Sequence, residues 1–223
     1  MRIVAIVPAY NEAARITPVL DTLTRAPSVD SVIVVDDGSD DATAATAERH
    51  PAAATGRLAV VRQETNRGKG AAMRAGAEAA DSADTLLFLD ADLIGLTVDH
   101  VEALVEPVRT GQVDMALGVF RGGNFWTTLA QIIVPNISGQ RAILRELFLS
   151  VPSVIDARYG VELAITHYVA GEGRPMTRVI LKDVSHPPKE RKLGLWRGVA
   201  SRARMYQQML PYMIRRHRRK TPR

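Results

Sequence analysis

What most constrains this chain is a rhythm in its first half, where short apolar, β-branched runs alternate with alanine-rich stretches. The runs are Arg2 to Val7, Ser31 to Val35, Leu58 to Arg62 and Thr85 to Leu89. Each is too short for an ordinary helix and nearly continuously apolar, which predicts strands buried on both faces. Between them, Asn11 is placed to cap a helix running towards Arg25, Thr43 to His50 lies in a second helix, and Gly70 to Ala80 forms a third. This order predicts an α/β fold with a mostly parallel sheet flanked by helices on both faces. In such sheets ligands collect outside the carboxyl ends of the strands. Asp36-Asp37 and Asp90-Ala91-Asp92 both fall at such ends.

After residue 95 the rhythm loosens. Thr97 caps a predicted helix to Arg109, Met115 to Val119 reads as a strand, Arg141 to Leu149 and Gly160 to Val169 read as helices, and Arg178 to Val184 as a late strand. The 223 residues suffice for one sizeable core, and no polar linker divides them, so a single domain is expected. Apolar residues at 46% and charged residues at 24% suit a soluble globular chain. The absence of cysteine excludes disulfides and thiolate metal sites and fits a reducing compartment. Met1 and Arg2 lead straight into a strand with no cleavage site, and the apolar run Phe125 to Val134 is half the ~20 residues that a spanning helix needs. A cytoplasmic protein that does not cross a membrane is therefore expected.

Charge is divided unevenly. Up to Ser185 there are 17 Lys and Arg against 23 Asp and Glu; from His186 onward there are 12 against 1. Trp196, Val199, Ala203, Tyr206, Leu210 and Met213 recur at steps of three and four, with Arg197, Arg202 and Arg204 off that stripe. Pro211 follows, and then the cluster Arg215, Arg216, Arg218, Arg219 and Lys220. Residues 195–223 thus read as a basic amphipathic helical extension suited to peripheral docking on an anionic membrane, or to packing on the chain's own core. No zinc-knuckle or aromatic-interleaved pattern accompanies the basic residues, so nucleic acid is not an expected partner.

The chemistry centres on Asp90-Ala91-Asp92. Two carboxylates one residue apart, just after a buried strand, can present oxygen ligands to one hard cation, Mg2+ or Mn2+. Alone, the triplet equally suits a solvated turn. Three further segments accompany it: Val7-Pro8-Ala9-Tyr10-Asn11-Glu12 at the end of the first strand, Val34-Val35-Asp36-Asp37-Gly38-Ser39 at the end of the second, with Asp41 and Thr43 after it, and Asn66-Arg67-Gly68-Lys69-Gly70 before a helix.

In this order and spacing the four segments resemble the nucleotide-sugar-binding half of the family 2 glycosyltransferases, which have the GT-A fold; the resemblance covers roughly residues 1–120. It implies that Pro8, Tyr10 and Glu12 line the base and ribose pocket, that Asp36 or Asp37 fixes the base, and that Lys69, Asp90 and Ala91 complete the donor site. Asp92 becomes the principal metal ligand, with Asp90 in support. His186, at the end of the late strand, is where several GT-A enzymes complete the metal shell, although a histidine before two prolines is otherwise a loop residue.

Residues 121–194 then form the acceptor-side half of the same domain. Ile137-Ser138-Gly139-Gln140-Arg141-Ala142 looks like the segment that passes beneath the donor sugar in related enzymes. Ser138, Gly139, Arg141, Lys189 and Arg191 are assigned to the acceptor side. Glu162 lies where a carboxylate often faces the reaction centre and, with Asp92, is a catalytic candidate; as an ordinary helix acid it would instead favour the helix dipole. Three readings follow. The first is a metal-dependent hexosyltransferase from a UDP- or GDP-sugar to a phosphorylated acceptor. For this reading, polyprenyl phosphate is preferred, because the chain resembles polyprenyl-phosphate sugar transferases. A small soluble acid such as 3-phosphoglycerate is the alternative, because Tyr159-Gly160-Val161-Glu162 and His186 resemble glucosyl-3-phosphoglycerate synthases. The second reading is a nucleotidyltransferase, which lacks its glycine-rich triphosphate loop here. The third is a non-catalytic nucleotide-binding or membrane-adaptor domain.

Overall fold

The computed structural model describes residues 1–121, 139–152, 154 and 160–187. Ser138, Lys189, Arg191 and the C-terminal stripe lie outside the described residues. Met1–His186 forms one compact unit.

Seven strands build one sheet: β1 (Ile3–Ala9), β2 (Ser31–Asp36), β3 (Leu58–Arg62), β4 (Thr85–Phe88), β5 (Met115–Arg121), β6 (Arg141–Leu144) and β7 (Met176–Lys182). Their order is β3-β2-β1-β4-β6-β5-β7. All run parallel except β6, which pairs antiparallel with both β4 and β5. The helices are α1 (Ile16–Arg25), α2 (Thr43–Glu48), α3 (Pro51–Ala54), α4 (Lys69–Ala79), α5 (Val98–Arg109), α6 (Arg145–Leu149) and α7 (Val161–Gly171).

The alternation of side chains along a strand divides the core in two. Ile3, Ala5 and Val7 of β1 face one side and pack with Val19, Leu20 and Leu23 of α1 and with Leu104, Val105 and Val108 of α5. Val4 and Ile6 face the other, with Ala72, Met73 and Ala77 of α4, Phe148 of α6 and Ile165 and Val169 of α7. Helices therefore cover both faces, as the apolar runs require.

Two expectations are corrected. Arg141 to Leu149 is not one helix: Arg141–Leu144 is a strand and only Arg145–Leu149 is helical. Pairing with β4 on one side and β5 on the other outweighs the helix propensity of Ala and Leu there. Asn11 does not cap α1, which begins at Ile16 without a side-chain cap. Instead Asn11 takes φ 56°, and its side-chain oxygen accepts from the Asp40 amide at 2.9 Å, fastening the loop after β1 to the loop after β2. Thr97 does cap α5, in a reciprocal box with His100. Among the described residues no helix is long and apolar enough to cross a membrane.

Candidate active site

Because six strands share one direction, the segments that follow β1, β2, β4 and β7 meet at one edge of the sheet, and the reversed β6 brings its beginning, Gly139 and Gln140, to that same edge. The alternation of β4 continues past its end. Leu89, Ala91 and Leu93 enter the core, so Asp90 and Asp92 are set together on the opposite side, 19% and 14% exposed at the side chain. This is the physical content of the one-residue spacing.

His186 reaches the pair from β7, three strands away. Ile94, just past the acids, forms a two-way backbone bridge with Ser185 at 2.9 and 3.0 Å. Gly95, at φ 79°, lets the two segments close: a Cβ there would lie 2.5 Å from the Asp183 carbonyl oxygen. His186 Nδ1 then stands 3.1 Å from Asp92 Oδ1, and Nε2 stands 3.5 Å from Asp90 Oδ2. One ligand atom from each of Asp90, Asp92 and His186 lies within 4.8 Å of the others. Two carboxylates and an imidazole are a donor set that suits Mg2+ or Mn2+, so these residues fit a divalent ion.

Lys69, the first residue of α4, is held between two carboxylates, 2.6 Å from Asp90 Oδ1 and 2.8 Å from Glu162 Oε1. Glu162 is a first-turn acid of α7, so the cation joins the edge of the sheet to the start of that helix. Gln140 donates from Nε2 to Asp90 Oδ2 at 2.8 Å. Gly139 fits against both partners: a Cβ there would lie 2.5 Å from Lys69 Nζ and 2.7 Å from Asp90 Oδ2. Arg141 is fully buried, and its guanidinium donates to the Glu162 carbonyl at 3.3 and 3.4 Å. The sequence assigned Arg141 and Gly139 to the acceptor side; in the structure Arg141 lies in the interior beneath the site, and Gly139 packs on Lys69 and Asp90. Gln140 carried no assigned role, and a glutamine ahead of a strand gives no local signal of one.

Burial pulls the Lys69 ammonium down, but Asp90 and Glu162 outweigh it and hold its pKa above the usual lysine range. Burial likewise pushes Asp90 up, and Lys69 and His186 more than offset that, so its carboxyl stays below the usual range. For His186, burial is overcome by the hydrogen bond to Asp92 and by the charges of Asp90 and Asp92, which raise its pKa. Arg141 goes the other way: burial lowers it to about 10, against the pull of Glu162 and Asp90.

The loops after β1 and β2 form the other half of the edge. Both Asp37 oxygens accept backbone amides, from Arg67 and Gly68, at 2.8 Å, so Asp37 shapes the loop that leads to Lys69. Asp36 is buried and accepts the Ser39 hydroxyl. Glu12 is buried, pairs with Arg15 at 3.1 Å and donates its amide to Thr43 Oγ1 at 2.8 Å. Pro8 is half-buried, and Tyr10 is 42% exposed beside them.

This arrangement coincides with a known family: the model of Glycosyl transferase family 2 matches residues 4–160. The chain belongs to that family. Among curated relatives of this family 2 glycosyltransferase, glycosyltransferase AglD of Haloferax volcanii is 39% identical over 119 residues, 51% of this chain and 19% of that one. Dolichyl-phosphate beta-glucosyltransferase ALG5C of Trichomonas vaginalis is 38% identical over 119 residues, 47% of this chain and 33% of that one. Glucosyl-3-phosphoglycerate synthase of Mycobacterium tuberculosis is 31% identical over 191 residues, 72% of this chain and 58% of that one. The chain thus spans less than two thirds of each of these relatives. A crystal structure of the M. tuberculosis synthase in complex with Mn2+, UDP-glucose and phosphoglyceric acid superposes with a TM-score of 0.66 at 29% identity, covering 86% of this chain and 75% of that one. Its complex with Mg2+ and UDP gives 0.67 at 28%, covering 92% and 79%. The fold of this family 2 chain is accordingly the GT-A α/β fold.

Proposed function

We propose that this chain transfers a sugar, as a hexosyltransferase, from a nucleotide-diphosphate sugar to a phosphorylated acceptor with the help of a divalent cation. The observation that carries the reading is the convergence of Asp90, Asp92 and His186 at the carboxyl edge, with Lys69 joining Asp90 to Glu162. The synthase that this chain resembles was crystallised with Mn2+ or Mg2+ and UDP, which supports both the ion and the donor class.

In this reading Asp92 and His186 hold the ion. Asp90 supports them, because its two oxygens already serve Lys69 and Gln140. When bound, Mg2+ or Mn2+ neutralises the charge that gathers on the departing nucleoside diphosphate. Tyr10 offers a ring to the base, Pro8 and Glu12 line its pocket, and Asp36 accepts from base or ribose. The backbone around Ala91 borders the ribose. Lys69 stands where a diphosphate would lie and adds positive charge there. The bond from the anomeric carbon to the diphosphate oxygen breaks, and a bond to the acceptor oxygen forms. Polyprenyl phosphate is already ionised near neutral pH and needs no strong base, which leaves Glu162 to steer Lys69; an attacking hydroxyl of a small acid would instead give its proton to Glu162 as base.

Polyprenyl phosphate is favoured as acceptor by the basic amphipathic stripe after residue 195 and by the similarity to the dolichyl-phosphate enzyme, and it would place the protein at the cytoplasmic face of a membrane. A small phosphorylated acid is favoured by the longer similarity to the synthase. In both cases Ser138, Lys189 and Arg191 are proposed to face the acceptor.

The test is a melting-temperature screen of UDP- and GDP-sugars with and without Mn2+, followed by turnover with polyprenyl phosphate and with 3-phosphoglycerate. A donor should raise the melting point only with Mn2+ present. Asp92→Ala should abolish metal-dependent turnover while keeping the fold; turnover near that of the unaltered protein would sink the proposal. Binding to anionic vesicles that is lost on truncation after Leu210 would mark the lipid acceptor.

A further inference from the structure

We propose that Gln140 is a positioning residue, whose carboxamide sets the plane of the Asp90 carboxylate and thereby the placing of Lys69 and of a divalent cation at Asp92 and His186. The inference rests on the metal-site reading above.

Gln140 is fully buried just ahead of β6. A buried carboxamide stabilises a fold only when its hydrogen bonds are made. Its Nε2 donates to Asp90 Oδ2 at 2.8 Å. With Lys69 on its other oxygen Asp90 is the acceptor of this contact, so the NH2 end and not the carbonyl end of the amide faces it.

A carboxylate gripped by one oxygen still turns about its last torsion, which is broad and roughly two-fold. Lys69 takes Oδ1 at 2.6 Å and Gln140 takes Oδ2, so the plane is fixed from both ends. Oδ2 is also the oxygen 3.5 Å from His186 Nε2, so Gln140 orients the side of Asp90 that meets the third candidate ligand. The residue itself is anchored through its main chain: its backbone carbonyl accepts the Gly118 amide of β5 at 2.9 Å. A Cβ at Gly118 would lie only 3.1 Å from Gln140 Cβ, so the bare position on β5 is what leaves room for the side chain. Gln140 is therefore held by the strands on both sides of β6, as a residue that aims another must be.

Groups that hold a ligating or supporting carboxylate in place are typically worth 10–100-fold in metal affinity. The experiment is calorimetric titration of Mn2+ into the full chain without donor, for the unaltered protein, Gln140→Leu, Gln140→Asn, Asp90→Asn and the Asp90→Asn/Gln140→Leu double variant. Gln140→Leu keeps the approximate shape and removes the donor, and should weaken Mn2+ about 10–100-fold. Its metal-free melting temperature should move little, because Asp90 keeps Lys69. Gln140→Asn, one methylene short, should weaken Mn2+ similarly and carries the comparison if the leucine variant does not fold. In the Asp90→Asn background the leucine substitution should have no further effect. Undiminished affinity in the two Gln140 variants, or an equal loss in both backgrounds, overturns the proposal. Absence of Mn2+ binding by the unaltered protein overturns the metal site with it, and so separates the two failures.

Discussion

His186 faces two opposed demands on one imidazole. Its Nδ1 lies in hydrogen-bond contact with Asp92 at 3.1 Å, and the acids raise its pKa despite burial. A folded pKa above the unfolded value of about 6.5 means that this pair's stabilisation is complete below that value and is lost as pH rises through the raised pKa. Metal binding runs the other way, because the ion needs a nitrogen lone pair and must displace a proton. Mn2+ affinity should therefore fall as pH falls through the raised pKa, with a proton released per ion bound. Calorimetry in two buffers of different ionisation enthalpy reads that proton, and His186→Ala should abolish its release; an unchanged proton count in the variant would refute the assignment. Asp90, Asp92 and His186 were legible in the sequence because each follows a strand whose end could be read locally. Gln140 and the two-sided grip on Lys69 were not, since both depend on which strands become neighbours across the sheet.

At the scale of elements, the reversal of β6 decides what the site contains. Run parallel, the segment after residue 139 would place Gly139 and Gln140 at the far end of the sheet; run antiparallel, it delivers them to Asp90. The four strands of the first half were legible within two residues of their ends because each is a buried run bounded by turn residues. β6 was not, because Arg141-Ala142-Ile143-Leu144 is apolar enough to be buried as either strand or helix, and only its two ladders decide. Asn11 was misread for a related reason: an asparagine near a helix start resembles a cap, yet the same side chain suits a left-handed loop position. The close fit at the start of β6 gives a prediction. Gly139→Ala places a methyl group 2.7 Å from Asp90 Oδ2 and 2.5 Å from Lys69 Nζ, so these side-chain ends must shift from their present places. Displacements of about 1 Å near reacting groups cost up to about 100-fold in rate. Donor kinetics on the purified variant should show that loss mainly in kcat, and turnover equal to that of the unaltered protein would show that the edge tolerates the methyl.

For the molecule as a whole, the proposed site draws on residues from Pro8 to His186, so it exists only when nearly the entire compact unit is assembled. Its last contributor, His186, comes from the margin of the described sheet. Among the described residues β7 is an edge strand with one ladder partner, and past its end the Asp183 amide bonds the Arg121 carbonyl, the reciprocal Ile94–Ser185 bridge follows, and the His186 ring meets Asp92 and Phe120. Such margins open locally without global unfolding. An ion bound through His186 would favour the arrangement in which the bridge is closed. At a Mn2+ concentration 100 times its Kd, mass action adds about 2.7 kcal/mol against any opening that breaks the site. Deuterium uptake at the Ile94 and Ser185 amides should then slow about a hundredfold on adding Mn2+, while amides in the middle of β1 keep their rates. If those two amides exchange at the same rate with and without Mn2+, the ion is not fastened to the end of β7. If they slow as expected, two amide hydrogens far apart in sequence record the occupancy of a single ion.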